Sequence, residues 1–169
     1  ASNGKLWIGM DYGITAVDLK NNITYMYDYK GEYGTANTAI LQNSDFYLGT
    51  NQGLYKINWD DLNNNKAQTN YSLINGSEGQ VWSLQNIDGA LFCGHDRGLY
   101  LVENNSLKQI NSEYGVWTII PYKKNYLLTG NYNGINVFKR TNNSWEFLKK
   151  IELIWGSVNQ IEIENDQFL

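Results

Sequence analysis

The stretch LWIGMDYGI, from Leu6 to Ile14, returns as FYLGTNQGL from Phe46 to Leu54, LFCGHDRGL from Leu91 to Leu99 and LLTGNYNGI from Leu127 to Ile135. Every copy has three mostly apolar residues, a Gly, three mostly polar residues, a second Gly, and then Leu or Ile. The apolar run predicts a strand and the Gly-bounded centre a tight turn into a second strand, with glycines where a side chain would obstruct the backbone. The first glycines, Gly9, Gly49, Gly94 and Gly130, are spaced 40, 45 and 36 residues apart, which is the recurrence of a repeat architecture.

A second block precedes the hairpins at a nearly constant offset: TANTAI at 35–40, QVWSLQ at 80–85, GVWTII at 115–120 and SVNQIE at 157–162. In register, Ala36, Val81, Val116 and Val158 form one column, Ala39, Leu84, Ile119 and Ile161 another, and Asn37, Trp82, Trp117 and Asn159 share the position between them. Beyond each hairpin come two further runs, the last being TYMYDY, YSLI, LKQI and WEFLKKI. Four short strands in about 40 residues are the content of one propeller blade. Asn pairs such as Asn104-Asn105 and Asn142-Asn143 supply turns between the outer strands, and Trp59 to Thr69 reads as a polar loop that lengthens one repeat.

The expected class is therefore all-β, a β-propeller of four-stranded antiparallel blades with about four blades' worth of chain. The boundaries are strands two to four of a first blade at 4–30, full blades at 34–75, 79–111 and 115–152, and a first strand of a further or closing blade at 157–169. Pairing of Ser157–Ile163 with the opening blade would close a ring, whereas an arc of a larger ring would leave edges that favour self-association. Since the chain starts and stops within repeats, it is expected to be a piece of something longer.

Composition agrees with a strand-rich globular chain: of 169 residues, 42% are hydrophobic and 14% aromatic, with one Pro. A net charge of -4 and a pI near 4.9 leave no cationic surface for a phosphate backbone, so nucleic acid is not expected as a partner. The single cysteine, Cys93, excludes an internal disulfide, and its place in a strand predicts a small buried thiol. The single histidine excludes a multi-histidine metal site, and no cofactor is expected. No apolar run approaches the roughly 20 residues needed to span a bilayer.

The quoted hairpins, extended as LWIGMDYGITAVD, FYLGTNQGLYKI, LFCGHDRGLYLV and LLTGNYNGINVF, resemble the two-component regulator propeller repeat. The family's Thr after the first Gly is kept at Thr50 and replaced by Met10, His95 and Asn131, and its Trp two residues before that Gly is kept only at Trp7. The resemblance implies part of the extracytoplasmic, periplasmic sensor region of a hybrid two-component histidine kinase, as in glycan-degrading gut bacteria. It further implies a parent protein that carries the membrane helix, kinase core and phosphorelay. On this reading the chain is not itself an enzyme.

His95-Asp96-Arg97 is the tempting catalytic group, but neighbouring residues point to different sides, so it reads as an ordinary turn tip. Glu32, Glu78 and Glu113 recur before first strands and are the candidate carboxylates for a lyase or glycosidase alternative. The binding reading has more material. Propeller geometry places the middle hairpins and the inter-blade connections on one face. There it gathers Asp11, Tyr12, Asn51, Gln52, Asp96, Arg97, Tyr132 and Asn133 with Glu32, Tyr33, Glu78, Glu113, Tyr114 and Trp155. The ligand candidates among these are Asp11, Tyr12, Tyr33, Glu78, Asp96, Arg97, Glu113, Tyr114, Tyr132 and Trp155. Aromatic faces beside amides and carboxylates suit an oligosaccharide. Trp82 and Trp117 are assigned to packing between blades, and a structural or protein-interaction role is the alternative function.

Overall fold

The computed structural model describes residues 5–10, 13–18, 23–28, 30–63, 71–142, 144–152, 155–164 and 167–168. It divides into two compact units, Ala1–Val81 and Trp82–Leu169. In the first unit, β1 (Lys5–Met10), β2 (Gly13–Asp18) and β3 (Ile23–Tyr27) form a three-stranded antiparallel sheet in chain order. Next comes a four-stranded sheet of β4 (Ala36–Gln42), β5 (Asp45–Thr50), β6 (Leu54–Asn58) and, after helix α1 (Trp59–Asn63), β7 (Ser72–Leu73).

The second unit repeats this meander twice. One sheet holds β8 (Val81–Ile87, opening at the boundary), β9 (Ala90–His95), β10 (Gly98–Glu103) and β11 (Ser106–Asn111). The other holds β12 (Thr118–Tyr122), β13 (Tyr126–Asn131), β14 (Gly134–Thr141) and β15 (Ser144–Lys150). A two-stranded hairpin of β16 (Ile163–Glu164) and β17 (Gln167–Phe168) follows.

Turn chemistry sets these registers. Asn104 and Asn105 both take left-handed φ, 51° and 58°, in the two-residue turn between β10 and β11, a conformation that Asn tolerates better than most residues. Alternation then sends apolar side chains to both faces of the middle strands. In the first unit, Phe46, Leu48, Tyr55 and Ile57 bury against Ile14 and Ala36. In the second, Phe92 and Leu99 meet Val116 from the lead-in segment and Ile119, Leu127 and Phe138 from the following sheet. The opposite face of that sheet buries Leu128, Ile135 and Val137 with Ile161.

Two expectations change. Trp59–Asn63, read as loop, is a short helix: the Asn58 side chain accepts the Asp60 N–H at 2.9 Å, and Trp59 and Leu62 turn into the core beside Trp7 and Phe46. The segment 157–162 is not a strand; strand begins only at Ile163, which pairs with Phe168. Val158 and Ile161 are instead held by side-chain burial and by the Val158 N–H donated to Asn131 O at 2.9 Å.

The repeated first glycine is where the next repeat crosses. A Cβ on Gly49 would meet Thr38 Cγ2 and Val81 Cγ1, each at 2.6 Å. On Gly94 it would strike Ser83 Oγ and Val116 O, and on Gly130 the Val158 carbonyl. Gly9 is looser, with only Ala36 O at 3.4 Å. The column Ala36, Val81, Val116 and Val158 thus lies over the column of glycines. Gly94→Ala and Gly130→Ala are each expected to cost about 1–3 kcal/mol in urea unfolding, because the obstructing atoms include backbone, whereas Gly9→Ala should stay within about 0.5 kcal/mol of the parent.

Candidate functional site

The tips of the middle hairpins are joined by backbone hydrogen bonds to the segments that lead into first strands. In the first unit, Asn51 N–H donates to Thr35 O at 3.0 Å and Gly79 N–H to Gln52 O at 3.0 Å. In the second, Gly115 and Val116 N–H donate to Asp96 and His95 carbonyls at 2.8 and 3.0 Å, and Tyr132 N–H to Tyr114 O at 3.4 Å. Gly134 N–H donates to Gly156 O at 2.8 Å, which brings the segment carrying Trp155 to the same tip. Within each unit, tips and lead-ins therefore share one end of the sheets.

Two of the tips are held from below by the residue after the first glycine. Thr50, His95 and Asn131 are all buried. Thr50 Oγ1 accepts the Gln52 and Gly53 N–H groups at 3.0 and 3.2 Å, and His95 Nδ1 accepts the Arg97 N–H at 3.1 Å. His95 Nδ1 also abuts Asp96 Oδ1. His95-Asp96-Arg97 lies at a tight turn between β9 and β10, with the Arg97 backbone N–H bonded to the imidazole. Thr50 and His95 thus each supply an acceptor for their turn.

Above this floor lies an aromatic cluster. The Trp82 and Trp117 rings stack with centroids 3.8 Å apart. Tyr132 sits beside both, at 6.4 and 5.6 Å, and its hydroxyl accepts the Trp82 Nε1–H at 3.0 Å. Gly115 permits this seat, since a Cβ there would enter the Tyr132 ring. The two indoles are half-buried and Tyr132 is 40% exposed, so the cluster presents aromatic surface. Trp82 and Trp117 do pack between sheets, as expected, but they also form this platform. The signal for it was their common column directly after a lead-in segment.

The other candidate residues fall in different settings. Asp11 and Tyr12 lie outside the described residues. Tyr33 packs edge-on against Tyr55 and Tyr71 at 5.2 and 4.9 Å as part of the first core; burial, with Tyr33 adding to it, pushes the Tyr71 hydroxyl up. Glu78 is exposed near Tyr55, whose hydroxyl is pushed up by burial and, to a lesser extent, by the charges of Asp28 and Glu78. Glu113 is paired with Lys150 at 2.9 Å, and Arg97 and Asp96 lie 4.0 Å apart. Tyr114 and Trp155 are exposed at 68% and 84%. The structure gathers the loops of Asp96, Glu113, Tyr114, Tyr132 and Trp155 in the second unit, and those of Tyr33 and Glu78 in the first. Cys93 is fully buried, and burial pushes its thiol up.

One brace was not legible in the repeat pattern. Asp28 accepts the N–H groups of Tyr33, Glu32 and Gly34 at 2.7, 2.9 and 3.1 Å, fixing the connection that carries Tyr33. Burial alone would raise its pKa, but these backbone donors outweigh it and hold the carboxyl below its ordinary 3.8.

No protein-family model and no curated protein matches the chain. Solved structures do match. The extracellular domain of a B. thetaiotaomicron protein described as a hybrid two-component system gives a TM-score of 0.75 at 20% identity, over 95% of this chain and 23% of that one. A second such B. thetaiotaomicron domain gives 0.69 at 20% identity, over 97% and 23%. The WD40 β-propeller domain of Doa1 gives 0.67 at 16% identity, over 98% and 57%. The chain therefore has the β-propeller fold, and it spans 23% of the length of those two extracellular domains.

The Asp28 brace has a pH signature. Its contribution is fully present above the unfolded value near 3.8 and is lost as pH falls through the lower folded value. Below about pH 4 the thermal midpoint of the parent should fall more steeply than that of Asp28→Asn; parallel curves would show that the carboxylate braces nothing.

Proposed function

We propose that the chain is a non-catalytic part of the extracytoplasmic sensor region of a two-component regulator, and that its hairpin face contributes to binding a neutral oligosaccharide. The observation that supports this reading is the Trp82–Trp117–Tyr132 cluster at the end of the sheets where the loops converge. An aromatic face takes the apolar C–H face of a pyranose, while nearby amides, carboxylates and hydroxyls bond its rim. The exposed ring of Tyr114 and the side chains of Asp96 and Arg97 lie on the same loops.

An enzymatic role finds less support. Glu113 is engaged by Lys150, and Glu32 stands 3.6 Å from Lys30 in an exposed pair. Among the described residues no group of three or more His, Cys, Asp or Glu could hold a metal ion, and no helix is long and apolar enough to cross a membrane. Signal transduction and membrane attachment belong, on this reading, to the parent protein in an inner membrane.

A structural or self-associating role is the second reading, favoured by Phe147 and Leu148, each 48% exposed on the outer strand β15. Titration calorimetry with a panel of neutral oligosaccharides separates the two. The first reading expects binding of at least one member, weakened tenfold or more by Trp82→Ala or Tyr132→Ala and unchanged by Leu148→Lys. Silence across the panel, together with sedimentation showing a self-association abolished by Leu148→Lys, would favour the second.

A further inference from the structure

Leu127 lies opposite Phe138 and Thr129 opposite Asn136, while Asn131 follows two residues on from Thr129. Leu127 and Phe138 belong to the core shared with Phe92 and Leu99. Alternation therefore turns Thr129, Asn131 and Asn136 toward the β8–β11 sheet as well. All three are essentially fully buried, at 0%, 1% and 1% exposure.

Their hydrogen bonding is incomplete. Thr129 Oγ1 donates to Asn131 Oδ1 at 2.7 Å. Asn131 Nδ2 and both polar atoms of the Asn136 carboxamide have no partner among the described residues. Leaving each such group unpaired in an apolar interior would cost about 1–3 kcal/mol, and native interiors rarely keep several together. The cluster offers donors from two amides and one amide acceptor, with no formal charge. Only a molecule that both donates and accepts, and that is small enough for a closed interior, satisfies such a set.

We infer that Thr129, Asn131 and Asn136 form a buried hydration site in which at least one long-lived water molecule bridges the Asn131 and Asn136 carboxamides. The water would complete the hydrogen bonding of the polar cluster buried between the strands that carry the Tyr132 hairpin. The proposal is independent of the saccharide reading.

Water–protein cross-relaxation NMR on the full chain, with the Asn carboxamides assigned, tests it. Cross-peaks from water to the Asn131 and Asn136 carboxamide protons are expected with the sign of a slowly exchanging, immobilised molecule, and a high-resolution crystal structure should place an oxygen within hydrogen-bond distance of both. Absence of those cross-peaks, or a crystal structure in which the two carboxamides bond directly to each other, would overturn it. In Asn136→Leu the water cross-peak at Asn131 should disappear; its persistence would show that Asn136 is not a ligand. If that variant fails to fold, the measurements on the parent chain still decide.

Discussion

The close passage of one repeat's leading segment over the first glycine of the repeat before it is the constraint on which the other features depend. It recurs at Gly49 under Val81, Gly94 under Val116 and Gly130 under Val158. Packed interiors leave no room for an added methyl at such distances, so the glycine sets how near the two layers come. That approach lets apolar columns interlock, with Val116 entering the Phe92–Leu99–Phe138 core. It also puts the lead-in backbone within hydrogen-bond reach of the hairpin tip, as in the Val116 to His95 bond of 3.0 Å.

The loop face follows from the same contact. A tip pinned by neighbouring backbone needs support from its own repeat, and the buried residue after the glycine supplies it through Thr50 or His95. Once tip and lead-in are fixed, the residues just beyond them are free to vary. At one such place Trp82, Trp117 and Tyr132 collect into a partly exposed aromatic surface. Stacked rings are rigid and need little ordering on binding, which makes such a surface suited to a ligand with an apolar face.

Much of this is legible in the sequence. The glycine and valine columns are visible in the sequence because every repeat must solve the same packing problem, and the Asn-rich turns are visible because their backbone tolerates so few residues. The helix at Trp59–Asn63 was not, since it depends on Trp59 and Leu62 finding a core assembled from distant strands. Nor was the loss of strand at 157–162, where apolar residues align with earlier repeats while the hydrogen-bond ladder does not form. The site was legible as a set of loops but not as a surface: a column shows that Trp82 and Trp117 are equivalent, not that their rings stack. Asp28 and the buried Asn131–Asn136 cluster escaped because neither is repeated in the other copies.

The repeated glycine is demanded by the neighbouring repeat and not by its own turn. A mutant cycle at Gly49 tests it most directly, because there the three nearest atoms to an added Cβ all belong to side chains, Thr38 Cγ2, Val81 Cγ1 and Val81 Cβ. Gly49→Ala is expected to cost at least 1 kcal/mol less in a Val81→Ala background than in the parent, a coupling of the size typical for residues in contact (about 0.5–3 kcal/mol). An equal cost in both backgrounds would locate the need for glycine in its own sheet and hairpin instead of in the neighbouring repeat.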